Sequence, residues 1–408
     1  MKIAIILYRM NIKGGTQRQA LFLARELKKY GHDVTFYTFK YDRERCFSEL
    51  LEGMRVVSLE EKHPQWLKQK IKIFGVFNRP SLLTDFLRIR VAARNLAAMI
   101  DIDTEILNPH GHIAYRISYY FKKYNPRVIS VGMFNTMPRL SWAYWKKKQA
   151  DLYYNVGVMK RLLMWIIDWY DARIFIHAQD RILVLDERDV ERVFYFFGKK
   201  AYVIRSGVDV GMFLYKERKG FAQKKMRILA VAMLAPHRRF EDIIEALAVL
   251  RGKGIDASLD IIGVWEQSKD YYDKLVRLAQ QCEVAEQTVF FGKVSDRELL
   301  AHYASHDVFV VSSHHQSWGL AVFEAMASGL VAVVSRSVGA AQVLKDGETA
   351  LLVEPLQPTD IAQALERLWN DPRFMHQLSR NGRAFVEEYI SWKRYTTDML
   401  MAFKLARF

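Results

Sequence analysis

An apolar run, VFVVSS, is followed one residue later by HQSWGLAVFEAMASG, residues 315–329. The order reads as strand, loop, helix. A helix start presents unpaired N–H groups and the positive end of the helix dipole, so a phosphate can sit there. Gly319 lets the backbone approach such a group closely. Glu324 falls one turn into the helix, where its carboxylate can accept two hydroxyl hydrogens, as from a ribose. The same residues also fit an ordinary strand-to-helix turn with Glu324 facing solvent. Metal chemistry has little support. Asp101 and Asp103 precede a strand with no third ligand near, and His314-His315 lacks a spaced Cys, Asp or Glu partner.

A helix start of this kind needs a parallel sheet behind it, and the chain reads that way twice. Residues 2–7 form a strand, Gly14-Gly15 a loop, 16–30 an amphipathic helix stopped at Gly31, and 34–38 the next strand. Alternation continues with strands at 105–107, 127–131, 181–185 and 202–205. Helices fall at 113–123 and 151–178. Residues 216–225 are polar and basic, with Gly220, and read as a linker. Strands then follow at 227–231, 258–262, 288–291, 308–311 and 331–334. Helices follow at 240–251, 270–281, 296–304, 321–328 and 358–369, with a final helix from Trp392. The expectation is α/β, with domains at 1–206 and 207–390 and a terminal helix at 391–408.

A chain of 408 residues exceeds what one core usually supports. Residues 1–200 hold 35 Lys and Arg against 20 Asp and Glu; the other 208 hold 26 against 25. A one-sided field of that kind faces a polyanion. Three basic segments in that half are interleaved with rings and aliphatics: WLKQKIKIFGVFNR (66–79), WAYWKKK (142–148) and MKRLLMWII (159–167). They fit an interfacial surface on anionic lipid. They also fit core helices whose Lys and Arg snorkel outward. No single-strand platform or nucleic-acid-binding pattern is present, so nucleic acid is not expected as a partner. No run reaches the ~18 apolar residues of a spanning helix; the richest, residues 159–178, is broken by Asp168, Asp171 and Arg173. Cys46 and Cys282 form no disulfide framework, and MKIAIILYRM reads as a strand without a cleavage site. The expected location is cytoplasmic, peripheral to the cytoplasmic membrane face.

HQSWGLAVFEAMASG resembles the signature of the retaining glycosyltransferases of family 4. The likeness extends along the chain. GGTQRQALFLARELKKYGHDVTFYT resembles that family's Gly-Gly loop and first helix, and VIRSGVDVGMF the end of its first domain. ILAVAMLAPHRRFEDIIEAL, LDIIGVWE, VFFGKVSDREL and VGAAQVLKDGETALLVEP resemble, in order, its second-domain elements. YDRERCF and VGMFNTMPRL look most like the mannosyltransferases of lipid-linked oligosaccharides.

The resemblance implies a GT-B fold: two Rossmann-like domains facing across a cleft, with the C-terminal helix crossing back to the first. It implies a retaining, metal-independent hexosyltransferase using a UDP- or GDP-linked sugar, with no other cofactor, and a lipid-linked or glycan acceptor. Glu324 would hold the donor ribose. Gly319, Leu320 and Ala321 would offer N–H groups to diphosphate or sugar, and Val294 would lie against the base. Arg238 would neutralise the diphosphate where the family has Lys. Gly14 and Gly15 would admit donor phosphate and acceptor. His110 matches the second His of the family's His-x-His strand end. The sequence departs from the pattern at three places. Gln316 replaces a Glu, Met233 replaces an Arg, and a His is absent where Asn135 is the nearest polar residue. A non-catalytic donor-binding subunit or a nucleotide-sugar epimerase of the same fold is the alternative.

Overall fold

A computed structural model of the chain describes residues 1–62, 82–111, 113–135, 158–221, 224–266 and 268–406. The basic segments 66–79 and 142–148 lie outside the described residues. The chain forms two compact units, Met1–Ser206 with Trp392–Phe408, and Gly207–Ser391.

The first unit is built on β1 (Lys2–Met10), α1 (Gly15–Lys29), β2 (Asp33–Tyr41), β3 (Arg55–Ser58), α2 (Leu82–Ala97), β4 (Ile106–His110), α3 (Arg116–Phe121), β5 (Ile129–Phe134), α4 (Val158–Asp171), β6 (Arg181–Val184), α5 (Glu187–Phe197) and β7 (Ala201–Val203). Its sheet is parallel, in the order β3-β2-β1-β4-β5-β6-β7. Ile3 to Leu7 of β1, an interior strand, are all buried, which is why that strand is an unbroken apolar run. Asp186 caps α5 by accepting from the Arg188 N–H, and Gly198 ends it in the left-handed region. β3, α2 and α5 are additional to the elements that the hydrophobic pattern gives for this half. The reading of one helix over 151–178 is corrected within the described part: α4 ends at Asp171 and a π-helical turn, Ala172–Ile176, follows.

The second unit contains β8 (Met226–Val231), α6 (Phe240–Gly252), β9 (Ala257–Ile262), α7 (Lys269–Gln281), β10 (Thr288–Gly292), α8 (Asp296–Ser305), β11 (Val308–Val311), α9 (Leu320–Ala327), β12 (Val331–Ser335), β13 (Leu351–Val353), α10 (Pro358–Asn370) and α11 (Pro372–Tyr389). Its sheet, also parallel, runs β10-β9-β8-β11-β12-β13. A capping box between Ser295 and Glu298 fixes the start of α8. The last helix, α12 (Trp392–Leu405), belongs to the first unit, where Trp392 stacks on Phe22 of α1 at 4.7 Å.

Residues 216–221 are not a linker. Arg218 is 3% exposed. Its guanidinium donates to the carbonyls of His306 at 2.8 Å, Tyr303 at 3.0 Å, Ala304 at 3.2 Å and Ser328 at 3.3 Å. Those are carbonyls that helix ends leave unpaired. One arginine therefore ties together the C-terminal ends of α8 and α9. Its polar neighbours hid that role from composition.

Candidate active site

In the second sheet the strand order reverses between β8 and β11. In open α/β sheets such a switch point opens a crevice at the carboxyl ends of the strands, and ligands bind there. Two loops meet at this crevice, 232–239 after β8 and 312–319 after β11. They are stitched together by backbone and side-chain bonds. The His314 N–H donates to the His237 carbonyl at 2.9 Å, and the Ser312 hydroxyl lies 2.6 Å from the Arg239 carbonyl and 3.1 Å from that of Arg238.

Arg238 closes a 3-10 turn, Pro236–Arg238, and Arg239 beside it adopts φ 56°. The Arg239 guanidinium is bound to Asp242 and Glu241, so its charge is compensated within the fold. Arg238 is the other cation of this loop. His237 is pushed down to about 4 by burial, with the Arg238 charge acting the same way, and is therefore neutral. Met233 is exposed at this strand end.

Gly319 caps α9 with φ 96°. A Cβ there would lie 3.0 Å from Val338 Cγ1 and 3.3 Å from Gln316 Nε2. Both the backbone angle and the space favour glycine. The loop before it rests on the turn Gly339–Gln342, where Gly339 N–H donates to the Gln316 carbonyl and Ala340 N–H to that of Trp318, both at 2.8 Å. Leu320 and Ala321 occupy the first turn of α9, where N–H groups have no intrahelical acceptor. Gln316 Oε1 accepts from Ser313 at 3.1 Å.

Glu324 does not face solvent. It is 7% exposed, and the hydroxyl of Tyr303, on α8, donates to its Oε2 at 3.0 Å. Tyr303 is itself fully buried. The solvent-facing alternative for Glu324 is thereby overturned. Sequence reasoning missed Tyr303 and Ser312, because neither stands within the motif that it supports. Val294 follows Gly292, which takes φ 69° under the Trp265 ring, with the ring 2.8 Å from where a Cβ would be.

The first unit repeats the logic. Its order reverses between β1 and β4, and the loop Asn11–Gly14 leaves β1 there for the start of α1. A Cβ on Gly15 would meet nothing within 4 Å, so this helix start has room for an incoming group. Gly111, just after β4, has Thr16 as its neighbour, 3.8 Å from a Cβ placed there. Those contacts gather Gly14, Gly15 and His110 at one sheet edge. His110 is 1% exposed and burial pushes it down to about 3, so it is neutral. Asn108 fixes its tautomer. The Asn108 amide donates to the Val131 carbonyl at 2.7 Å, which turns Oδ1 toward His110 Nε2, also at 2.7 Å. Nε2 therefore carries the proton, and Nδ1 is a buried acceptor with no partner among the described residues. Asn135, just past β5, is buried with both amide atoms likewise unpartnered among the described residues. Unmet buried polar atoms at neighbouring strand ends mark a place built for a polar ligand.

Residues 213–385 match the family described as glycosyl transferases group 1. The chain is a GT-B glycosyltransferase. Over its full length this enzyme is 25% identical to the MMP alpha-(1->4)-mannosyltransferase of Mycolicibacterium hassiacum, covering 100% of this chain and 98% of that protein. It is 30% identical over 185 residues to the GDP-mannose-dependent alpha-(1-6)-phosphatidylinositol monomannoside mannosyltransferase of Mycolicibacterium smegmatis, which is 44% of this chain and 47% of that protein. Among solved structures it shares its fold with Anabaena HepE in complex with UDP and glucose. There the TM-score is 0.72 at 13% identity, over 99% of this chain and 100% of that one.

Proposed function

We propose that the enzyme moves a hexose, mannose foremost, from a UDP- or GDP-linked donor bound by the second unit to a lipid-linked or glycan acceptor bound by the first. The observation that carries this reading is the β8/β11 crevice. It brings a cationic loop, a glycine-capped helix start and a buried, tyrosine-held carboxylate to one sheet edge. Arg238 and the N–H groups from Gly319 to Ala321 take the diphosphate, and Glu324 takes the ribose. Val294 lies against the base. Stabilising the leaving diphosphate lets the anomeric C–O bond break, with the electron pair going to a phosphate oxygen. The acceptor oxygen then bonds to the oxocarbenium-like carbon from the same face, with retention, and its proton passes to that phosphate oxygen. No metal is needed at the diphosphate. Near the acceptor, the bare Nδ1 of His110 and the amide of Asn135 bind sugar hydroxyls.

The acceptor is presented at an anionic membrane surface on the cytoplasmic side. Among the described residues no helix is long and apolar enough to cross a membrane. Helix α4 supports a peripheral mode, because it buries Asp171 and exposes large apolar side chains. Asp171 is buried and paired with the buried Arg116, while Tyr115 also donates to it at 2.9 Å. Leu162, Trp165, Ile166 and Trp169 instead point outward, Trp165 at 50% and Trp169 at 54% exposure. Successive spacings of three and four put Leu162, Trp165 or Ile166, and Trp169 on one stripe. That counts against a core helix with snorkelling cations and for burial of the rings in a headgroup layer.

The test is a panel of UDP- and GDP-sugars scored by thermal stabilisation, followed by incubation of labelled donor with lipid and glycan acceptors. A donor that stabilises and whose sugar appears on an acceptor is expected. Stabilisation without transfer would make the chain a donor-binding subunit, and conversion of the donor without acceptor would make it an epimerase. No stabilisation by any nucleotide would end the reading.

A further inference from the structure

Asp260, His302 and His306 form a cluster that includes none of the donor- or acceptor-binding residues assigned above. Asp260 lies in the middle of β9, between β8 and β10. Its neighbours Leu259 and Ile261 enter the core, so alternation places Asp260 on the opposite face, toward α8. His302 lies in the last turn of α8 and His306, four residues on, is its C-cap in extended backbone. His306 Nε2 is 3.0 Å from Asp260 Oδ2 and His302 Nδ1 is 3.5 Å from the same oxygen. One ligand atom from each residue lies within 4.8 Å of the others.

We propose that these three side chains are a binding site for a divalent transition ion, zinc above all, separate from the sugar donor. Two imidazoles and one carboxylate form a ligand set suited to zinc, with the fourth position left to water. Zn–N and Zn–O bonds of about 2.1 Å in a tetrahedron put ligand atoms about 3.4 Å apart. The distances of 3.0 and 3.5 Å bracket that spacing. The orientation of His306 is already fixed. Its Nδ1 lies 2.7 Å from the His302 carbonyl, which commits that nitrogen as a donor. Nε2 then faces a carboxylate oxygen, a contact that either a proton on Nε2 or an intervening cation satisfies. A ligating imidazole with its second nitrogen bound to a carbonyl is the usual arrangement at zinc sites. The Phe291 ring packs edge-on to His302 with centroids 4.5 Å apart and restricts its rotation. The C-terminal carbonyls of α8 are held in turn by Arg218.

The ion would fasten α8 to β9. Tyr303, between the two histidines in sequence, holds Glu324, so an occupied site would also steady the carboxylate assigned to the ribose. The ion itself touches neither.

The experiment uses the untagged full-length chain, stripped with a chelator and titrated with Co2+ alone, then with Zn2+. Visible d–d bands of tetrahedral Co2+ are expected at one ion per chain, and stoichiometric Zn2+ should bleach them. His302→Gln or Asp260→Asn should weaken binding at least ~100-fold, while His314→Gln leaves it unchanged. His302→Gln is the decisive variant, since His302 is only partly buried and its loss spares the fold better than that of His306. Wild-type protein without Co2+ bands or calorimetric Zn2+ binding would overturn the proposal. So would bands that persist in His302→Gln or disappear in His314→Gln.

Discussion

Glu324 shows how one buried contact changes what a substitution reports. From the motif alone, Glu324→Ala removes donor binding at little cost to stability. With the Tyr303 hydroxyl donating to it, the alanine variant strands a buried donor and should lose about 1–3 kcal/mol of stability in urea unfolding. Glu324→Gln keeps an oxygen for Tyr303. It should retain most of the stability while weakening nucleotide binding measured by calorimetry. Equal affinities for wild type and Glu324→Gln would remove Glu324 from the ribose site. Arg238→Ala should cost a nucleoside diphosphate more affinity than a monophosphate or nucleoside, because the lost charge acts on phosphate; equal losses would make Arg238 structural. His110 sets an acid limit. Its native pKa of about 3 lies below the ordinary 6.5, so the unfolded chain binds the proton first. The contribution of His110 to stability is therefore complete above pH 6.5 and is lost as pH falls toward 3. Between pH 7 and 5 the loss should be roughly 2 kcal/mol. His110→Gln should flatten that limb, and an unchanged pH slope would mean that His110 is not buried neutral.

At the scale of elements, α9 is held at both ends by different means. Its start needs Gly319, with φ 96° and Val338 close by. Its C-terminal carbonyls are taken by Arg383 at Ala327, Arg218 at Ser328 and Ser379 at Gly329. Arg218→Met keeps the bulk but leaves buried carbonyls of α8 and α9 unpaired. A loss of ~3 kcal/mol or more is expected, read as a lower thermal midpoint with a donor affinity that also falls, since Tyr303 and Glu324 ride on those helices. A variant as stable as wild type would show that water substitutes for the guanidinium. Helix α4 is the opposite kind of element, with Asp171 turned inward and Trp165 and Trp169 outward. Trp165→Glu with Trp169→Glu should abolish most binding to anionic vesicles and leave nucleotide binding intact. Undiminished sedimentation would take α4 out of the membrane surface.

Over the whole molecule the charge is lopsided, with 35 Lys and Arg against 20 Asp and Glu before residue 201 and near balance after it. Each well-placed cation near an anionic surface contributes ~1 kcal/mol. Wild-type enzyme should therefore sediment with anionic vesicles at low salt and stay in solution with neutral ones. High salt should release much of it as the electrostatic part is screened. If anionic vesicles are ignored, the basic field serves a soluble phosphorylated acceptor or a protein partner.

What the sequence determined by itself was local. Strand and helix periods, the Gly319 helix start and the alternation of β and α were legible because hydrophobic period and backbone freedom are properties of neighbours along the chain. The strand runs of the second unit, VFVVSS among them, announced buried parallel strands for the same reason. What only the tertiary structure decided was pairing across the chain. Arg218 sits in a stretch that reads as solvent-loving, and it becomes a buried clamp because two helix ends happen to converge on it. Tyr303 gains its part from Glu324, 21 residues on. His302 and His306 drew no notice in the sequence, and Asp260 joins them only because β9 lies beneath α8. Likewise nothing local in α4 says which side is inside; the buried Arg116, far along the chain, turns Asp171 inward and leaves the tryptophans facing out.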